Sequence, residues 1–196
     1  MKKAQLTRQA LLQKAFEQIY TGGYQTTSID AILAATAVTK GAFYYHFKNK
    51  DEMGLALIEE VLRPTLRLQF ESLLQSSDDP LQAIYRLMQH LLFENDLLQA
   101  AHGCPMGNLT QELTPWHPVL STALDQLLQD WIQLMTQLLQ KGQQSGFIKT
   151  AVSARSVALF VLSGYWGVRS IGKLGDSRTV YTAYLNELKR YLNTLR

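Results

Sequence analysis

Apolar side chains recur at alternating three- and four-residue steps along almost the whole chain. Leu120, Leu124, Leu127, Trp131, Leu134 and Leu138 form the longest such run. Positions spaced this way share one face of a helix turning every 3.6 residues, whereas a half-buried strand needs a period of two. No stretch alternates with that shorter period. Glycine and proline stand where the stripes stop, at Gly22-Gly23, Gly103-Cys104-Pro105, Pro115 to Pro118 and Ser145-Gly146. The pattern therefore predicts an all-α protein of about nine helices. With 196 residues, 46% of them hydrophobic and 18% charged, the chain is long and apolar enough to bury a core.

The spacing predicts a first helix over Arg8–Tyr20, with Thr7 as N-cap and Gly22-Gly23 as terminator. Thr26, Thr27 and Ser28 offer capping hydroxyls to a second, which runs to about Ala35. A third opens at Lys40 behind Thr39, with Phe43 and Phe47 one turn apart on a shared face. Asp51 is expected to cap a long fourth helix reaching Leu74, and Pro80 to open a fifth ending at Ala101. A short sixth ends near Leu113. The seventh stops at Ser145-Gly146, the eighth spans Ser153–Gly172, and the ninth starts at Arg178. Three short helices with a tight second connection make a helix-turn-helix arrangement. The expected division is a helix-turn-helix domain, the DNA-binding candidate, at residues 1–50 and a helical body at 51–196.

Charge supports that division. Residues 1–50 carry seven Lys or Arg against Glu17 and Asp30, while the remainder holds twelve basic and fourteen acidic residues. A basic head on a slightly acidic body is the footprint of a phosphate-binding module. Val157 to Val168 is too short and too glycine-interrupted to cross a bilayer, and Arg8 and Lys14 break any leader-like core. A cytoplasmic location with no membrane partner is the expectation. One cysteine excludes an internal disulfide and a thiolate zinc framework. Gly-x-Ser-x-Gly, His-Glu-x-x-His and phosphate-cradling glycine motifs are absent, so no enzyme, catalytic residue, metal or cofactor is expected.

Gly23-Tyr24, Thr27-Ser28-Ile29, the run Val38 to Phe47, and Lys48-Asn49-Lys50 stand in an order and spacing that resembles the tetracycline-repressor (TetR) family of bacterial regulators. The resemblance is close over residues 8–51. It implies that the third helix reads DNA and that residues matching Thr27, Lys40, Tyr44, His46 and Lys50 touch it. The side chains make independent sense of this. Thr39 caps a helix whose positive N-terminus can face phosphate. Ser28 offers a hydroxyl at the second helix, Tyr45 stands beside Tyr44, and Gly41 lacks the bulk that would hold the helix off a groove. The family usually has glycine where Ala37 stands. An alanine at positive φ would cost roughly 1 kcal/mol, so a turn that is either slightly strained or differently shaped is expected.

In the body, the ninth helix shows Tyr181, Tyr184, Leu185, Leu188, Tyr191, Leu192 and Leu195, and the eighth shows Phe160, Val161, Gly164, Trp166, Gly167 and Val168. Two such helices per subunit predict a homodimer through a four-helix seam, a use the resemblance also implies. Phe93, Cys104, Met106, Trp116, Trp131, Met135, Tyr165 and Trp166 are candidates for an apolar pocket. The resemblance implies that such a pocket takes an inducer, here a small apolar or aromatic one, and that the inducer releases a repressor from a palindromic double-stranded DNA operator. Cys104 admits three readings: a small buried hydrophobe, a metal ligand with His102, or a thiol sensor of electrophiles activated by Lys173.

Overall fold

The computed structural model describes residues 3–74, 79–95 and 97–196, with the side chains of residues 3, 69, 73 and 74 left aside. Among them are nine helices and no strand. These are α1 (Lys3–Gly22), α2 (Ile29–Ala34), α3 (Lys40–His46), α4, α5 (Pro80–Phe93), α6 (Pro105–Leu113), α7 (Pro118–Gln144), α8 (Ala154–Ile171) and α9 (Ser177–Thr194). Helix α4 runs from Lys50–Leu57 through a π turn at Ile58–Leu62 into Arg63–Leu74. Short 3₁₀ turns lie at Ala100–His102 and Gly172–Leu174.

Most helix ends fall where capping chemistry puts them. Gly23 closes α1 at a φ of 95°, a left-handed conformation that suits glycine. Ser28 and Thr39 cap α2 and α3, accepting from Ala31 N–H at 3.0 Å and Ala42 N–H at 3.3 Å. Thr7, in contrast, lies inside α1, because Ala4, Gln5 and Leu6 before it continue the helix. The N-cap of α4 is Asn49, which accepts from Glu52 N–H at 2.8 Å, and Asp51 sits in the first turn instead. Helix α5 stops at Phe93, short of Ala101, where Asn95 turns the chain by accepting from Leu97 N–H. The α2–α3 turn carries no strain at Ala37, since no described non-glycine residue has positive φ. Thr36 makes the corner, donating to Leu33 carbonyl at 3.1 Å and accepting from Val38 N–H at 3.3 Å.

The chain divides into two compact units. One comprises Met1–Leu66 with Pro105–Leu127, the other Arg67–Cys104 with Leu128–Arg196. In the first, Leu11, Leu12, Ala15 and Ile19 of α1 are buried with Ile32, Phe43, Phe47, Met53 and Leu57. Arg8 braces that core. Its guanidinium lies 4.4 Å from the Phe47 ring centroid, donates to His46 carbonyl at 3.0 Å, and meets both carboxylate oxygens of Glu60 at 2.6 and 3.0 Å. In the second, Trp131 of α7 stacks on Phe70 at 4.4 Å between centroids. Ile84, Leu87 and Met88 of α5, Val157, Val161 and Tyr165 of α8, and Tyr181, Leu185 and Leu188 of α9 complete its core. Each such side chain stabilises the fold by about 1.5–3 kcal/mol relative to exposure.

Candidate nucleic-acid interface

Helix α3 has two chemically distinct sides. Phe43 and Phe47 are fully buried, with ring centroids 5.5 Å apart. Lys40, Gly41, Tyr44 and Tyr45 point the other way, the tyrosines being 48% and 77% exposed. Around Gly41 nothing lies within 4 Å of where a Cβ would stand, so the helix surface there is bare backbone. The caps leave both α2 and α3 with their N-termini flanked by exposed hydroxyl residues, Ser28 and Thr39. Lys40 Nζ lies 3.2 Å from Asp30 Oδ1, and both groups are well exposed, so the pair adds little stability and leaves the ammonium available. Half-buried His46 closes α3.

Two candidates are more tightly held than expected. Thr27 is only 5% exposed, and its hydroxyl donates to Gly23 carbonyl at 2.7 Å, tying the loop to the end of α1. Lys50 places its ammonium 4.4 Å over the Tyr24 ring and 3.4 Å from Gln25 carbonyl. Burial lowers its pKa, against the opposing pull of Asp51 and Glu112.

Tyr24 belongs to a polar cluster missed in the sequence. Its hydroxyl donates to Asp51 at 2.7 Å, and burial, reinforced by that bond, raises the phenol pKa above its ordinary value. Its N–H donates to Glu112 Oε2 at 2.9 Å, and Gln25 N–H to Glu112 Oε1 at 2.6 Å. Gln25 Nε2 lies 3.3 Å from His117 Nε2, and His117 Nδ1 is 3.7 Å from Asp51. No local pattern could reveal this, since Glu112 stands 88 residues beyond Tyr24.

The candidate pocket residues scatter. Cys104, Trp131, Met135, Tyr165 and Trp166 belong to the second unit, and all but half-buried Trp166 are buried. Met106 is buried in the first unit, whereas Trp116 is 74% and Phe93 44% exposed. The Trp131 and Trp166 indole N–H groups are buried with no acceptor among the described residues. A separate cavity of about 410 Å³ lies between α5 and α9, bordered by Tyr85, Arg86, Gln89, Lys189 and Asn193, and none of the eight candidates lines it. Cys104, 5% exposed, is packed as a buried side chain, and the thiol-sensor reading is not favoured. No described group of three or more His, Cys, Asp or Glu could hold a metal ion. Nor is any described helix long and apolar enough to cross a membrane.

Residues 11–57 match bacterial regulatory proteins of the tetR family, and residues 80–188 match the tetracyclin repressor-like C-terminal domain. The chain is 35% identical over 147 residues to the transcriptional regulator AcuR of Cereibacter sphaeroides, a match covering 73% of this chain and 65% of that one. It is 26% identical over 160 residues to the HTH-type transcriptional repressor DhaR of a Mycobacterium species, covering 82% and 79%. Its fold is similar to the crystal structure of a TetR-family regulator from Cytophaga hutchinsonii, with a TM-score of 0.90 at 19% identity over 100% of this chain and 98% of that one.

Proposed function

The chain belongs to the tetR family of bacterial regulatory proteins, DNA-binding transcription regulators, and on that premise we propose that it is a homodimeric repressor released from a palindromic operator by a small apolar or aromatic inducer. Residues 1–50 read the duplex and residues 51–196 bind the inducer and dimerise. The regulator acts in the cytoplasm by binding alone, without turnover.

The observation that carries the DNA assignment is the two-sided build of α3. One side is sealed by Phe43 and Phe47, and the other offers Lys40, Gly41, Tyr44 and Tyr45 to solvent. A helix braced in this way lies in the major groove, where Gly41 permits close approach. Ser28, Thr39, His46 and Lys50 bind backbone phosphates and set the register. Thr27 acts at the same place through its position at the start of α2, its hydroxyl proton being engaged by Gly23.

Support for the dimer comes from α8. Leu159, Phe160 and Ile171 are exposed along it, Leu174 is exposed in the 3₁₀ turn that follows, and nothing lies within 4 Å of a Cβ at Gly167. The apolar stripe of α9 at Tyr181, Leu185, Leu188 and Leu192 is spent on its own core, so α8 supplies most of the seam. Such a two-fold pairing would set the two reading helices one helical turn apart, about 34–36 Å, or a multiple of it. Within the second unit, Cys104, Trp131, Met135, Tyr165 and Trp166 are the proposed inducer contacts. The two buried indole N–H groups suit a ligand carrying a hydrogen-bond acceptor.

The test is fluorescence anisotropy with a palindromic duplex from the promoter region of the protein's own gene. Affinity should fall steeply as salt rises, with a log–log slope of about −0.9 for each phosphate contact. Lys40→Ala should reduce both affinity and slope. Binding indifferent to salt, or no preference over random duplex, overturns the assignment.

A further inference from the structure

We propose that Glu112 is a positioning residue for DNA binding, whose carboxylate clamps the loop ahead of α2 so that the duplex meets an already ordered surface. This rests on the DNA assignment above and goes beyond it, because Glu112 belongs to α6 and touches none of the proposed contact residues through its own hydrogen bonds.

Both carboxylate oxygens are used, one on each of two successive backbone N–H groups, at 2.9 and 2.6 Å. Bonds of this kind, with an ionised acceptor, are the strong ones. They close a loop that lacks regular structure of its own. Gly23 leaves α1 at a φ of 95°, a left-handed conformation that favours glycine, and brings the backbone to where a Cβ would stand at ordinary contact distance, 3.4 Å, from either Glu112 oxygen. Thr26 and Thr27 tie the following backbone back to Gly22 and Gly23 at 2.5 and 2.7 Å. Ser28 then begins α2.

The Tyr24 side chain anchors the same loop on a second element. It reaches Asp51 in the first turn of α4, against Gly54, where a Cβ would come within 2.9 Å of the ring. Lys50 is seated on the face of that ring and near Gln25 carbonyl. Clamping Tyr24 and Gln25 therefore fixes two proposed phosphate contacts at once, Ser28 just downstream and Lys50 above. Without the clamp, two backbone donors lose their acceptor and the loop samples other conformations. Association with DNA must then order it, and that cost weakens binding.

The test uses the full chain and the promoter palindrome, with Glu112→Gln as the first variant. Its amide can accept only one of the two bonds and turns a donor toward the other N–H. Hydrogen exchange at the Tyr24 and Gln25 amides should accelerate, while the amides of α3 keep their protection. Duplex affinity should fall roughly ten-fold. The loss should be less than additive with Ser28→Ala, which acts through the same loop, and additive with Tyr44→Phe on α3. Should the glutamine variant unfold, Glu112→Asp keeps the charge but draws it back by one methylene, and the same pattern is expected. Faster exchange at Tyr24 and Gln25 with unchanged affinity overturns the clamp's role while leaving the DNA assignment intact. Uniformly faster exchange throughout the first unit makes Glu112 merely structural and overturns the proposal. Failure of the unsubstituted protein to bind the duplex overturns the assignment itself and this proposal with it.

Discussion

Gly54 and Phe47 carry opposite kinds of constraint. At Gly54 there is no room for even one carbon, because the Tyr24 ring occupies the space at 2.9 Å. Gly54→Ala is expected to destabilise by about 1–3 kcal/mol through overpacking, despite the better helix propensity of alanine, as read from the urea midpoint. Phe47 fills space that nothing else can, and it is also the surface on which Arg8 rests. Phe47→Ala should cost about 3–5 kcal/mol by the same urea midpoint and abolish duplex binding read by fluorescence anisotropy. The residues legible in sequence were those whose partners lie within a turn: Ser28, Thr39 and Gly23 in their caps, and Phe43 with Phe47. Asn49 and Asp51, both capping types two positions apart, could not be separated that way. The choice depends on Tyr24, whose hydroxyl takes Asp51 from 27 residues away. At Ala37 the differently shaped turn is the one adopted, since the hydroxyl of Thr36 makes the corner in place of a left-handed residue.

At the scale of elements, α5 has a start that depends on pH. Asp79 accepts from Leu81 and Gln82 N–H and pairs with Arg196. Burial acts to raise its pKa, but the Arg196 bond and the two backbone donors outweigh it and hold the carboxyl below its ordinary value. A carboxylate depressed on folding stabilises above the unfolded pKa of about 3.9, and that stabilisation disappears as pH falls through the folded value. Lowering pH from about 5 to about 3 should therefore reduce the melting temperature more in the parent than in Asp79→Asn, which keeps the cap but does not titrate. The period of apolar positions made α7 and α8 readable end to end. It could not reveal the end of α5, which Asn95 imposes by a side-chain turn, nor the π turn in α4. The stripe of α9 was legible as a stripe, but its period could not say whether its own core or a second subunit covers it.

For the whole molecule, the exposed face of α8 makes the assembly testable. Phe160 and Ile171, each 57% exposed, and Leu174, 89% exposed, leave an apolar strip facing solvent in an isolated subunit. Ile171→Glu places a charge within that strip, at the C-terminal end of α8. It should shift sedimentation equilibrium at micromolar concentration from dimer to monomer, and weaken palindrome binding while leaving helix content by circular dichroism unchanged. A monomeric parent protein would contradict the seam.

The unit that holds the reading helix is discontinuous, because Pro105–Leu127 joins Met1–Leu66 across an excursion of 38 residues, Arg67–Cys104. On the ribosome, α1 to α4 emerge early, but the acceptor of the Tyr24 and Gln25 backbone N–H groups arrives only with Glu112. A nascent chain halted before that point has no finished grip to offer the chromosome. On the proposed reading, the order of synthesis would delay duplex recognition until Glu112 has emerged.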